Sequence, residues 1–288
     1  MSGHIVKWYD SPEAFHEYAS NSEVHKAHSS GNPNMETTDW GGVNYKGALK
    51  QLIYGDADRA ILAAKLFDEV VAAQTDTLGR NMIVPAMIGN TPNVPAVIAG
   101  MPENMLVRQQ THQMASNAPI RIIVDLFASW QISQQEFIRR GVSAIAFAMV
   151  MNTVRPIDLY VAHTGTSSSV NNKSVAHIIK IDTKPLDLPR AVWMISDPAF
   201  FRRLGFCAIM HELRPFQPSY GKEDYKDDSI PSAKEGKEWL GLNNEDIYLD
   251  RMYHGDTLAV TDPMKWVNTM ILQHIENAEI IKMTEETH

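Results

Sequence analysis

The stretch that most limits what this chain can fold into runs from Pro119 to Asp182. It opens on Ile120–Val124, a nearly continuous β-branched run, the pattern of a strand buried on both faces. Ser133-Gln-Gln-Glu136 follows as a capping box, so a helix starts at Gln134 and is expected to reach about Asn152. Phe137, Ile138, Ile145 and Met149 give that helix an apolar face, and Gly141, Ser143 and Ala144 allow close approach to a sheet. Pro156–Val161 reads as a second strand, His163–Asn172 as a polar loop, and Val175–Ile181 as a third strand antiparallel to the second. The order strand, helix, strand, strand predicts an α/β fold. The expected architecture over residues 117–284 is a three-layer sandwich with a mixed, largely parallel sheet.

The flanks are read around that unit. Residues 1–116 form a mostly helical N-terminal region. Ser11-Pro12-Glu13 is a helix start, with a Ser cap and Pro at the first helical position. Residues 21–38 are expected to be a mobile loop. Tyr45–Tyr54, stopped by Gly55, and Ala57–Gln74, capped by Asp56, make an αα-hairpin over residues 43–75. Four prolines between Met82 and Met105 forbid a long helix and predict short strands and turns. Beyond the central unit, Leu188–Ile195 is expected to be helical, and Asp197-Pro198 starts another short helix. Residues 214–241 form a polar insertion, and Asp246–Asp250 is a strand. A helix starts at Asp262-Pro263, and Ala278–Met283 is read as a last strand.

Composition excludes several classes. The formal net charge of -8 over 288 residues argues against a dedicated duplex-DNA binder, which needs a basic face to neutralise phosphates. Cys207 is the only cysteine, which rules out an intramolecular disulfide and suits a reducing cytoplasm. The N-terminus does not read as a signal peptide, and the longest apolar run, Ala144–Met151, is too short to span a bilayer. No membrane partner is expected. The chain has no P-loop, no Gly-x-Ser-x-Gly elbow and no His-Glu-x-x-His zinc motif.

In an α/β sheet, ligands sit outside the carboxyl ends of the strands. Asp125 and Ser129 fall there, with Trp130 beside them as an aromatic able to stack on a ligand. Asp125-Leu-Phe-Ala-Ser129 resembles the start of a von Willebrand factor A-type domain, whose Asp-x-Ser-x-Ser motif binds a divalent ion. The resemblance covers residues 119–182. It implies Mg²⁺ on Asp125 and Ser129, with Thr164 or Thr166 in place of the family's threonine. The chain departs from the motif at Phe127, which removes one hydroxyl ligand and shifts the expectation from ion binding to a surface that holds a partner. A broader similarity rests on Trp40-Gly-Gly, Ala99-Gly-Met-Pro-Glu-Asn-Met105, Arg140-Gly141 and Asp197-Pro-Ala-Phe-Phe-Arg-Arg-Leu-Gly-Phe206 with Glu212. Together these resemble an uncharacterised protein family of tailed-phage and plasmid genomes, which implies a mobile-element origin and supplies no activity.

Three functions follow as expectations. The first is a non-enzymatic, phage-type binding protein in the cytoplasm of an infected bacterial host. It holds a phage or host protein on Asp125, Ser129, Trp130, Thr164 and Thr166, and self-association is an option. The second is a single-stranded nucleic-acid-binding accessory factor in phage transcription or replication, using Arg139, Arg140, Arg202 and Arg203 on phosphates. For each arginine pair the competing role is structural, as an ion pair or a solvated charge. The third is a metal-dependent hydrolase built on Asp125, His211 and Glu212, the last two suggesting acid–base work.

Overall fold

The computed structural model describes residues 4–32, 41–73, 83–87, 91–92, 102, 105–108, 119–128, 132–154, 156–167, 173–214, 237–238, 240–252 and 258–285. Its strands are β1 (His4–Tyr9), β2 (Ile83–Ala86), β3 (Thr91–Pro92), β4 (Met105–Arg108), β5 (Ile120–Asp125), β6 (Ile157–Ser167), β7 (Lys173–Ile181) and β8 (Ile247–Leu249). Its helices are α1 (Pro12–Ala19), α2 (Ser22–His25), α3 (Tyr45–Tyr54), α4 (Ala57–Ala73), α5 (Gln134–Val154), α6 (Leu188–Ser196), α7 (Phe206–Leu213), α8 (Leu258–Thr261) and α9 (Pro263–Glu285). A π-helical turn, Phe200–Gly205, leads into α7.

The main sheet has the order β1-β7-β6-β5-β8. β6, β5 and β8 run parallel, and β7 turns back antiparallel to β6. β1 lies parallel to β7 at the edge. The fold is therefore mixed α/β on a five-stranded, mostly parallel sheet, and is compatible with a three-layer sandwich. A smaller antiparallel sheet, β2-β4-β3, comes from the proline-rich segment.

The alternation of strand residues divides the core. Ile122 and Val124 of β5, Leu159 and Val161 of β6, and Val175 and Ile179 of β7 join one large cluster with residues of α1 to α9. Ile123, Ala162, Ala176 and Ile178 face the other way and meet Leu240 in a second, smaller cluster. α5 is buried along most of its length, because it lies between the sheet and α4, α6 and α9. Its capping box forms as the sequence predicts: Ser133 Oγ accepts from Glu136 N at 3.2 Å, and Glu136 Oε2 accepts from Ser133 N at 2.7 Å. Ser11, Asp56 and Asp187 accept backbone N–H bonds at the starts of α1, α4 and α6.

Several expectations are corrected. The segment His4–Tyr9 is an edge strand, not part of a helical region, and takes its hydrogen bonds from β7. Residues 22–31 contain α2 and a 3₁₀ turn, Ser29–Gly31, where a loop was expected. β6 continues through His163 to Ser167, since those residues pair with β7 as far as Lys173. Ala278–Met283 belong to α9 and do not form a strand. Trp40, the turn at residues 95–100 and most of the polar insertion lie outside the described residues.

Candidate functional site

β5 stands where the strand order reverses: the chain leaves it for β6 on one side, and β8 arrives on the other. That position is the usual ligand crevice of an open α/β sheet. Register decides which side chains meet there. Asp125 is opposite Ala162, two residues before Thr164 on β6, and Ile123 is opposite Tyr248 of β8. Side chains two apart on a strand share a face, so Asp125, Thr164 and Tyr248 converge on the face away from the helices.

The Asp125 carboxylate is completely buried and accepts three donors. The Thr164 hydroxyl donates at 3.0 and 2.8 Å to its two oxygens, and the Tyr248 hydroxyl donates to Oδ2 at 2.6 Å. The Phe127 N–H donates to Oδ1 at 2.9 Å. Burial, and then the Asp125 charge, push the Tyr248 phenol well above its ordinary range, so it remains a donor. From the helix side Arg140 binds the carbonyls of Asp125 at 3.0 Å and Leu249 at 3.4 Å, and also that of Asp250. This one side chain ties the ends of β5 and β8 together. Arg251 lies 5.7 Å from the Phe127 ring centre and 3.6 Å from Asp250. Burial, with a contribution from Asp125, raises the Asp250 carboxyl. Phe127, at the position of the absent hydroxyl, is 5 % exposed and packs edge-on against Phe201.

The other predicted residues divide clearly. Asp125 and Thr164 are brought together. Thr166 is placed in β6 opposite Ser174, and Ser129 and Trp130 lie outside the described residues. Of the four arginines, Arg139 is exposed. Arg140 and Arg203 are buried, and Arg203 donates to Val43 O at 2.9 Å. Arg202 is half-buried, 5.0 Å from the Phe206 ring centre. Arg140 and Arg203 are thus engaged by backbone carbonyls inside the fold.

His211 and Glu212 do not join Asp125. They sit at the end of α7, against β1 on the opposite face of the sheet, with two strands, β7 and β6, between β1 and β5. There Glu212 Oε1 accepts from Lys7 Nζ at 2.6 Å and from the Tyr18 hydroxyl at 2.7 Å. Because the Tyr18 proton goes to Glu212, the 3.1 Å contact between Tyr18 and His211 Nδ1 makes Nδ1 the donor. Burial alone would raise the Glu212 carboxyl, but the bonds from Lys7, Tyr18 and His211 outweigh it and hold it at about 2. Beneath this cluster, Tyr9 bonds His177 Nδ1 at 2.9 Å. His177 and His163 are cross-strand neighbours, both fully buried. His163 is enclosed by Phe15, Phe200 and Phe201, and among the described residues neither of its ring nitrogens has a hydrogen-bond partner.

Sequence reasoning named His211 and Glu212 of this second cluster but missed Lys7, Tyr9, Tyr18 and His177 around them. A signal existed in His4–Tyr9, where Ile5, Lys7 and Tyr9 alternate with Val6 and Trp8 and so share one face. Among the described residues no three His, Cys, Asp or Glu side chains are grouped to hold a metal ion. No described helix is long and apolar enough to cross a membrane.

A family described as a domain of unknown function, DUF7192, matches residues 3–279. The chain belongs to the DUF7192 family. The match includes β1, the Asp125 hub and the start of α9, so the edge strand and the strand-end site fall within a single DUF7192 unit. No curated protein and no solved structure matches the chain.

Proposed function

We propose that this DUF7192 chain is a non-enzymatic binding protein that holds a protein partner on the carboxyl-end face of its sheet. The observation that supports this is the state of Asp125. It occupies the ligand position of the fold, yet its carboxylate is buried and already accepts three donors. A carboxylate satisfied in this way fixes the strand ends and is not presented to a substrate. Arg140 ties the ends of β5 and β8 together beside it, and preformed surfaces lose little entropy on binding. The hydrolase reading needed Asp125 beside His211 and Glu212, and these groups face opposite sides of the sheet.

The partner is a phage or host protein, and the place of action is the cytoplasm of an infected bacterium. Both follow from the similarity of the sequence motifs to proteins of tailed-phage and plasmid genomes. A photo-reactive residue at exposed Gln135, at the start of α5 beside the strand ends, tests the reading in infected cells. A second at exposed Lys184, in the turn after β7, serves as the control. One protein should cross-link at position 135 and not at 184. Equal labelling at both positions, or none at 135, would remove the strand-end face as the binding surface. Two in vitro measurements separate the alternatives. A shift with single-stranded DNA that weakens as salt rises would favour the nucleic-acid reading. Calorimetric uptake of Mg²⁺ would favour the ion-binding one.

A further inference from the structure

At the amino end of β6, the end away from Asp125, the fold leaves a cavity of about 150 Å³. Ala148 of α5 and Leu159 of β6 form its buried floor, while Phe67 of α4 and Met149 stand half-buried at its mouth. Two polar side chains reach the cavity. Thr183 already donates to Ile157 O at 3.0 Å. Asn152 is half-buried in the wall, and among the described residues no hydrogen bond engages its amide.

We propose that this cavity is a binding site for one neutral, six-membered aromatic ring carrying a single hydrogen-bonding group, with phenol the simplest example. Three observations set that class. An apolar cavity of roughly 150 Å³ takes a benzene-sized ring. Among the described residues the lining holds no Lys, Arg, Asp or Glu, so a charged ligand would lose its hydration without compensation from them. The Asn152 amide offers one donor and one acceptor side at the mouth, where it orients a hydroxyl. The site is separate from the strand-end face, so its test is independent of the partner-binding reading.

Ligand-observed saturation-transfer NMR on the full chain tests this with phenol, benzene and benzoate. Phenol should receive saturation at millimolar concentration, benzene should bind about five-fold more weakly for want of the hydrogen bond, and benzoate should show no binding. Ala148→Leu, which fills the floor, should abolish phenol binding. Asn152→Leu, at the rim and without effect on the buried floor, should erase the preference for phenol over benzene even if the first variant fails to fold. No saturation of phenol by the wild-type chain, benzoate binding as well as phenol, or an Asn152→Leu variant that still prefers phenol would each overturn the assignment.

Discussion

A carboxylate buried in a sheet is tolerated only when its oxygens are fully hydrogen-bonded. Asp125 meets that condition through Thr164, Tyr248 and the Phe127 N–H. Asp125→Ala should therefore leave two buried hydroxyls unpaired and destabilise the chain by about 3 kcal/mol, and Tyr248→Phe by about 1.5 kcal/mol. Urea denaturation of both variants checks the order as well as the size, and an Asp125→Ala midpoint equal to wild type would show the hub to be incidental. The buried histidines make a separate prediction about acid. Burial holds His177 at about 3 and His163 well below its ordinary value near 6.5. The unfolded chain then binds protons that the folded chain refuses. Stability is complete above about pH 6.5 and declines as pH falls toward 3, by at most about 1.4 kcal/mol per pH unit for each histidine. Glu212, held at about 2 against an ordinary 4.5, adds to the loss only below pH 4.5. Denaturation midpoints at pH 7.5, 6 and 5 should fall in that order, and a constant midpoint would contradict the burial of both imidazoles.

Between elements, close approach is set by what the contact residues lack. A Cβ at Gly141 of α5 would lie 2.4 Å from Ser196 Cα and 2.6 Å from Ile195 O of α6. Both are backbone atoms, so they cannot move aside as a side-chain tip can. Gly141→Ala should force α5 and α6 apart and lower stability by about 2–3 kcal/mol, in spite of alanine's better helix propensity. Thermal unfolding of that variant tells the two effects apart, since a raised Tm would mean that propensity prevails. The π-helical turn follows the same rule: Gly205 lets it rest on His163, whose Nδ1 would be 2.7 Å from an added Cβ. The capping box of α5, the caps of α1, α4 and α6 and the strand-helix-strand-strand order were all legible in the sequence, because each depends on neighbours a few residues apart. The sequence shows a short helix after Asp197-Pro198, but its contact with His163 was not legible, since that imidazole comes from β6. Nor was the helical state of Ala278–Met283: apolar residues at that density fit either period, and α9 simply runs on.

At the scale of the whole molecule, the N-terminal third is part of the sheet's own core. β1 closes one edge on β7, and Phe15, Leu52 and Ala63 from α1, α3 and α4 lie in the same cluster as β5, β6 and β7. A fragment starting at residue 117 should consequently fail to fold. It would expose the α5 and α6 surfaces that α3 and α4 cover, and circular dichroism with a proteolysis time course would show it. A protease-resistant fragment with a cooperative transition would instead mark residues 117–284 as a self-sufficient domain. By itself the sequence determined the α/β class, the position of Asp125 at a strand end and most helix starts. Those features come from local periodicity and capping, which act over one or two turns of chain. Only the tertiary structure decided what Asp125 does, since its three donors come from β6, β8 and the following turn, and strand register sets whether they meet. It also separated His211 and Glu212 from Asp125, because alternation gives each residue a face, but only sheet order fixes which faces adjoin.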